Sequence, residues 1–290
     1  MGTVSRLFWL ALPVLILACF CVPDPKLLLG EFLGRHVQIA REASEILFFL
    51  FVVRPVSIHP QLAALEHVMA RMDDKSLSDV SRLDEVLSLV DDYGWNHGFL
   101  INVGDVKGKI LDEAVRQRIR NGPGQPRVVV ELGTHLGYGT LRLARVLNQS
   151  DTEIITVDPD TFAYAVSSSL YEQANVRDRI TIKKDYSYNV FEELKKHGKK
   201  IDVLFVDHVK SLYLSDLKLA LQLDLLAPGC VVVGDNIRSP GAPDFKQYLL
   251  EGEGKELFTT EVHATHVEYW PLFPDEVTVS TFLGGQKLEV

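Results

Sequence analysis

The stretch RVVVELGTHLGYGT, residues 127–140, determines the fold class of this chain. Its valines and leucine form a short run that is apolar on both faces, which is typical of strands buried in a parallel sheet. Gly133, Gly137 and Gly139 then predict a turn that lets a ligand approach the backbone and that opens a helix. The dinucleotide fingerprint G-x-G-x-x-G is absent, because His135 stands at the position of its second glycine.

Four further β-branched runs follow this strand, separated by helical patterns. They are EIITVDP (153–159), RITIKKD (179–185), VLFVDH (203–208) and CVVVGDN (230–236). Such alternation predicts an α/β fold with a doubly wound, mostly parallel sheet and helices on both faces. ELFTTEV (256–262), HVEYW (266–270) and EVTVSTF (276–282) have no comparable helices between them and predict a partly antiparallel C-terminal extension.

A helical pattern precedes the first strand. The segment SDVSRLDEVLSLVDDYG (78–94) has Val80, Leu83, Leu87 and Val90 on one face. Gly94 is the predicted stop signal of this helix.

Four of the predicted strands end on an acidic residue: Glu131, Asp158, Asp207 and Asp235. The carboxyl ends of parallel strands share one edge of a sheet, where ligands bind. One such aspartate could simply cap the next helix, but four at one edge favour a binding crevice.

The positions of these acids and the residues beside them predict two ligands. A glycine turn headed by an acid suits a cationic cofactor without a pyrophosphate, such as S-adenosylmethionine, with Glu131 facing its amino group and Asp158 accepting hydrogen bonds from its ribose. Asp207, Asp235 and Asn236 offer hard oxygen ligands on neighbouring strands, which suit Mg²⁺. Lys210 lies close behind Asp207, and a lysine beside a metal cation can act as a general base.

Length, composition, net charge and cysteine count limit the class of protein further. The chain has 290 residues, is 47% apolar and carries a net charge of −9, which argues against a nucleic-acid partner. Of its three cysteines, Cys19 and Cys21 lie in an apolar N-terminal run, so Cys230 has no disulfide partner in the remainder, and no Cys/His spacing is typical of a zinc site. We expect a monomeric domain that acts on a small molecule.

The N-terminus forms its own region. Leu7–Val22 is uncharged for sixteen residues and predicts a single-pass membrane anchor in the endoplasmic reticulum or plasma membrane over residues 1–26, with a cleaved signal peptide as the alternative. Residues 27–57 form a juxtamembrane linker whose apolar patch, ILFFLFVV (46–53), either lies on the lipid surface or packs on the domain. The folded domain is predicted over 58–290.

From about residue 61 to 285 the sequence resembles the catechol O-methyltransferase family, and with its apolar N-terminus the membrane-bound form. The matching motifs occur in order: INVGDVKGKILD (101–112), ELGTHLGYGT (131–140), VDHVK (206–210), GDN (234–236), SPGAPDF (239–245) and VEYW (267–270). The resemblance implies a class I, Rossmann-like, S-adenosylmethionine-dependent methyltransferase that methylates a catechol-type hydroxyl with Mg²⁺.

The resemblance also implies residue roles. Asp207, Asp235 and Asn236 would bind the metal, Lys210 would be the catalytic base, and Glu268 would hold the second catechol hydroxyl, so that Asp207, Lys210, Asn236 and Glu268 surround the substrate. The cofactor pocket would be lined by Val103, Glu131, Gly133, Tyr138, Gly139, Asp158, Ser187, Asp207 and His208.

Several positions depart from the family pattern. Gly139 stands where the family has a serine, so only its backbone could contact the cofactor, and His135 replaces a tyrosine. Phe99 and Val209 stand where the family carries tryptophans, one walling the catechol and the other near the adenine, and Ile101 replaces a methionine beside the sulfonium. These changes leave open another dihydroxyaromatic acceptor, or a membrane-tethered binding or trafficking protein without turnover.

Overall fold

The computed structural model describes residues 54–72, 78–122, 126–147 and 151–284. Seven strands form one sheet in the order β3-β2-β1-β4-β5-β7-β6. Strands β1 to β5 are mutually parallel, whereas β7 runs antiparallel to both β5 and β6. The strands are β1 (Val128–Leu132), β2 (Glu153–Val157), β3 (Ile180–Lys183), β4 (Ile201–Val206), β5 (Leu226–Gly234), β6 (Phe258–Val267) and β7 (Trp270–Phe282). The predicted doubly wound α/β fold is confirmed.

Helices cover both faces of this sheet. The α-helices of the described residues are α1 (Arg54–Met69), α2 (Asp79–Asn96), α3 (Gly104–Asn121), α4 (Tyr138–Val146), α5 (Thr161–Gln173), α6 (Ser187–Lys196), α7 (Tyr213–Gln222) and α8 (Pro243–Leu250). Helices α1 to α5 pack into one apolar cluster with alternate strand residues such as Val129 and Val203, and α6 to α8 pack into a second cluster with Val130 and Leu204. Successive strand residues point to opposite faces, so both clusters need the continuous apolar runs seen in the sequence.

Helix α2 extends past its predicted end. Ser78 caps its N-terminus by accepting a hydrogen bond from the backbone N–H of Ser81, but the helix continues through Gly94 to Asn96. A Cβ at Gly94 would lie 2.4 Å from the ring of Tyr269. The glycine is therefore explained by the close approach of an aromatic ring, and its interpretation as a stop signal was wrong.

The C-terminal extension contains two strands where three runs were predicted. ELFTTEV and the start of HVEYW belong to one strand, β6, and EVTVSTF lies in β7. Tyr269 has a left-handed φ of 57° in the tight turn between them. This turn places Glu268 at the edge of the sheet where the parallel strands end.

The membrane prediction is corrected. Across the ranges that the structure describes, no helix is long and apolar enough to cross a bilayer. The predicted anchor over 1–26 and the apolar patch at 46–53 lie outside those ranges. The structure therefore contradicts the prediction of a single-pass membrane anchor.

Candidate active site

The strand order reverses between β1 and β4, and this switch point opens a crevice at the carboxyl edge of the sheet. Gly133, which follows β1, has a φ of 98° and lies against the backbone of β4's C-terminal end: a Cβ there would lie 2.2 Å from the carbonyl oxygen of Asp207. Only glycine satisfies both requirements. The turn after β1 and the residues after β4 are thus in direct backbone contact.

Three of the four predicted acids directly follow strand ends: Asp158 after β2, Asp207 after β4 and Asp235 after β5. Val206 of β4 pairs with Gly234 of β5, which brings Asp207 and Asp235 next to one another. Glu131 differs, because it lies one residue inside β1.

Asp158 organises the glycine turn. Its Oδ2 accepts hydrogen bonds from the backbone N–H groups of Thr134 (3.1 Å) and His135 (3.2 Å), and its Oδ1 accepts one from Asp160 (2.9 Å). Burial raises the pKa of Asp158, although these N–H groups partly oppose that rise. Asp158 therefore holds the turn in place beside the crevice.

Glu131 is buried beneath the same turn. Its carboxyl group accepts hydrogen bonds from the hydroxyls of Thr140 and Thr156. Burial raises its pKa to about 8, since desolvation disfavours the charged form more than the two hydroxyls stabilise it. A Cβ at Gly139 would lie 2.3 Å from Oε1 of Glu131, so the missing side chain at 139 makes room for this carboxyl group.

The other predicted cofactor residues differ in burial and in partners. Val103 is buried immediately before α3, Ser187 begins α6 and is partly exposed, and Tyr138 is fully buried with its hydroxyl donating to Asp91. His208 contacts Oδ2 of Asp216 at 2.7 Å and stacks on the ring of Tyr213.

His135 is the substituted position whose environment is most distinctive. It has a left-handed φ of 47°, and neither ring nitrogen has a hydrogen-bond partner among the described residues although both are buried. Burial lowers the pKa of His135 to about 3, so its imidazole is neutral.

Lys210 joins the ends of β4 and β5. Its Nζ donates to Oδ1 of Asp207 (3.0 Å) and to the hydroxyl of Tyr213 (2.6 Å). Tyr213 in turn donates to the backbone carbonyl of Asp235 (3.1 Å). These contacts fix the direction of the lysine side chain toward the carboxyl edge of the sheet.

A buried lysine that the sequence interpretation missed lies in the same region. Lys107 of α3 is 1% exposed, and its Nζ forms ion pairs with Asp235 (2.8 Å), Asp275 (3.0 Å) and Glu268. Burial alone would lower the pKa of Lys107, but the three carboxylates hold it well above its usual value, so the amine is charged. A signal existed in the sequence, since Lys107 shares the buried helical face of Leu111 and Val115.

Asn236 completes the cluster. Its side-chain nitrogen donates to Oε1 of Glu268 (2.8 Å) and Oδ2 of Asp275 (3.1 Å). Asp275 also accepts backbone hydrogen bonds from Arg238 and Ser239. Helix α3 and the ends of strands β5, β6 and β7, which are far apart in sequence, therefore contribute to one buried polar cluster.

The donor set fits a hard divalent cation. Asp235 is completely buried, its Oδ2 has no hydrogen-bond partner among the described residues, and burial raises its pKa well above the ordinary value. Lys107 pairs with Oδ1 of Asp235, so Oδ2 is the buried oxygen that a second cation would satisfy. The nitrogen of Asn236 is engaged, which leaves its carbonyl oxygen as the donor, and Asp207 is adjacent through the strand register.

The replaced wall positions form new contacts. Phe99 packs on Trp270 with ring centroids 5.2 Å apart, and Trp270 packs on Phe273 at the same distance. Val209 is 61% exposed beside Lys210, and Ile101 is partly exposed before α3.

This sheet order, with a glycine turn and acids at the switch point, is that of the class I S-adenosylmethionine-dependent methyltransferase fold. A family model described as a methyltransferase domain matches residues 130–237. A probable O-methyltransferase of Mycobacterium tuberculosis is 35% identical over 230 residues, covering 77% of this chain and 92% of that protein. Catechol O-methyltransferase of Sus scrofa is 32% identical over 171 residues, covering 58% of this chain and 87% of that protein. The chain belongs to the catechol O-methyltransferase family.

A solved structure agrees on the fold. The O-methyltransferase TomG of Streptomyces achromogenes, determined with S-adenosylmethionine, superposes with a TM-score of 0.56 at 21% identity, covering 74% of this chain and 94% of that one. With the sequence relatives, this fold shows that the chain is an S-adenosylmethionine-dependent O-methyltransferase.

Proposed function

We propose that this protein transfers a methyl group from S-adenosylmethionine to one hydroxyl of a catechol-type substrate in a Mg²⁺-dependent reaction, with Lys210 as general base. The observation that carries the proposal is the convergence of Asp207, Asp235, Asn236, Lys210 and Glu268 at the carboxyl edge of β4 and β5, beside the glycine turn.

Asp207, Asp235 and Asn236 would hold Mg²⁺, and the ion would supply Lewis-acid polarisation of the acceptor hydroxyls. The cofactor would supply the methyl group and occupy the crevice lined by the turn at 133–139 with Val103, Tyr138, Asp158, Ser187 and His208. Glu131 lies beneath this turn, where a cationic cofactor would favour its ionised form.

Lys210 would accept the proton of the acceptor hydroxyl. Its amine donates hydrogen bonds to Asp207 and to the hydroxyl of Tyr213, which keeps it beside the proposed metal ligands. Glu268 would orient the second hydroxyl, since its carboxylate is fixed by Lys107 and Asn236. Holding acceptor and methyl donor in line can account for about 7–11 kcal/mol of the barrier.

The test is methyl transfer from S-adenosylmethionine to a panel of catechols, with and without a chelator. Lys210→Ala should lower kcat by roughly 10²–10⁴-fold with little change in cofactor affinity, because a general base acts on the acceptor. Lys218→Ala, on the exposed side of α7, is the matched control. Equal losses in kcat and cofactor affinity would indicate a structural lysine, and activity indifferent to the chelator would contradict the metal assignment.

The altered walls favour a second acceptor class within the same reaction. Val209 is small and exposed, and Phe99 packs on Trp270, so the pocket would differ in shape from that of relatives with a tryptophan at each position. Larger dihydroxyaromatics belong in the panel for this reason, and a higher kcat/KM for them than for simple catechol would support this alternative. A binding protein without turnover is less well supported, because the proposed base and all three proposed metal ligands are present.

A further inference from the structure

A second cluster of metal-ligating side chains lies where α1 and α2 pack together. It consists of His67 near the end of α1, Asp92 within α2 and His97 at the C-terminal cap of α2. One ligand atom from each residue lies within 4.8 Å of the other two. These residues play no part in the proposed methyl transfer.

The distances suit a tetrahedral ion. Oδ2 of Asp92 lies 2.9 Å from Nε2 of His67 and 3.4 Å from Nε2 of His97. Zinc-to-ligand bonds of roughly 2.0–2.1 Å place tetrahedral ligands about 3.3–3.4 Å from one another. Both separations from Asp92 are therefore within about 0.5 Å of those in a tetrahedral zinc site, and the half-exposed His97 and Asp92 leave room for water as a further ligand.

The chemistry of each group also fits a metal. His67 is buried, and its Nε2 makes no aligned hydrogen bond within the described residues. Burial lowers the pKa of His67, which keeps the imidazole in the neutral form that binds metals. Asn96 donates a hydrogen bond to Oδ1 of Asp92 (2.8 Å), which directs Oδ2 toward the two imidazoles.

We propose that His67, Asp92 and His97 bind a zinc-class divalent transition metal that links the C-terminal ends of α1 and α2. Two imidazoles and one carboxylate prefer such an ion over Mg²⁺, which the oxygen ligands at the strand ends suit. Sequence spacing gives no indication of this site, because its two histidines are thirty positions apart and meet only when the helices pack.

The test is titration of the full chain with Co²⁺ or Zn²⁺ in excess Mg²⁺, so that the oxygen site is saturated. We expect one equivalent of Co²⁺ with the visible absorption bands of tetrahedral cobalt, and a higher Tm with Zn²⁺. His97→Gln and Asp92→Asn should weaken binding at least 10-fold, and His97→Cys, which retains a ligand, should preserve it. His197→Gln is the matched control, because His197 is also an exposed helix-capping histidine.

Two results would overturn the proposal: wild-type protein that binds no Co²⁺ in excess Mg²⁺, or His97→Gln that binds it as tightly as His197→Gln. Circular dichroism of each variant establishes that it is folded before titration. Either result would leave His67, Asp92 and His97 as a cluster of charge contacts between the two helices.

Discussion

Replacement of Lys107 by methionine tests the arrangement of the buried polar core most directly. Methionine has a similar length and no charge, so the variant retains most of the packing and removes the cation that three carboxylates share. Removing one partner of a buried ion pair typically costs 3–5 kcal/mol, because the other charge is left uncompensated. We expect the free energy of unfolding at pH 8 to fall by about 3–5 kcal/mol, a large part of the roughly 5–15 kcal/mol that domains possess.

The loss should depend on pH in a defined direction. Burial already raises the pKa of Asp235, and the positive charge of Lys107 opposes that rise. Without Lys107 the folded-state pKa of Asp235 rises further above its unfolded value. A group with a raised folded-state pKa gives its full stabilisation below the unfolded pKa and loses it as the pH rises through the folded value. The variant should therefore be closer to wild type at pH 5 than at pH 8.

The assay is urea unfolding followed by circular dichroism in the presence of a chelator, at pH 5 and pH 8, with the midpoint compared at constant m. Lys109→Met is the matched control, since Lys109 is exposed on the same helix and should change stability by less than about 0.5 kcal/mol. A loss below about 1 kcal/mol for Lys107→Met, or a loss equal at both pH values, would refute the reasoning.

Two further outcomes follow from the glycine turn. Because the pKa of Glu131 is raised to about 8, the ligand-free wild type should lose stability as the pH rises from about 4.5 through about 8, and Glu131→Gln should reduce this loss in pH-dependent melts. Gly133→Ala should destabilise more than Gly198→Ala in urea unfolding, since both positions have positive φ but only the first would place a Cβ against backbone. Equal destabilisation by the two alanines would show that φ alone matters.

The periodic features of the fold could be predicted from the sequence. The five parallel strands, the helices between them and the turn at 133–139 are local, because each depends on residue types within a short segment. The acids at strand ends could also be predicted from the sequence, since Val157, Val206 and Gly234 end their strands and an aspartate follows each. Glu131 was expected at the crevice edge, whereas it lies one residue inside its strand and is buried.

The contacts that join distant segments could not be predicted in this way. Lys107 meets Glu268 and Asp275 across 161 and 168 residues, Gly94 is explained only by the ring of Tyr269, and His67 meets His97 only through the packing of two helices. Sequence alone determined which segments become strands and helices, because propensity and hydrophobic periodicity act locally. The tertiary structure alone decided which buried charges share a cation, because burial and electrostatic partners depend on neighbours that only the folded chain brings together.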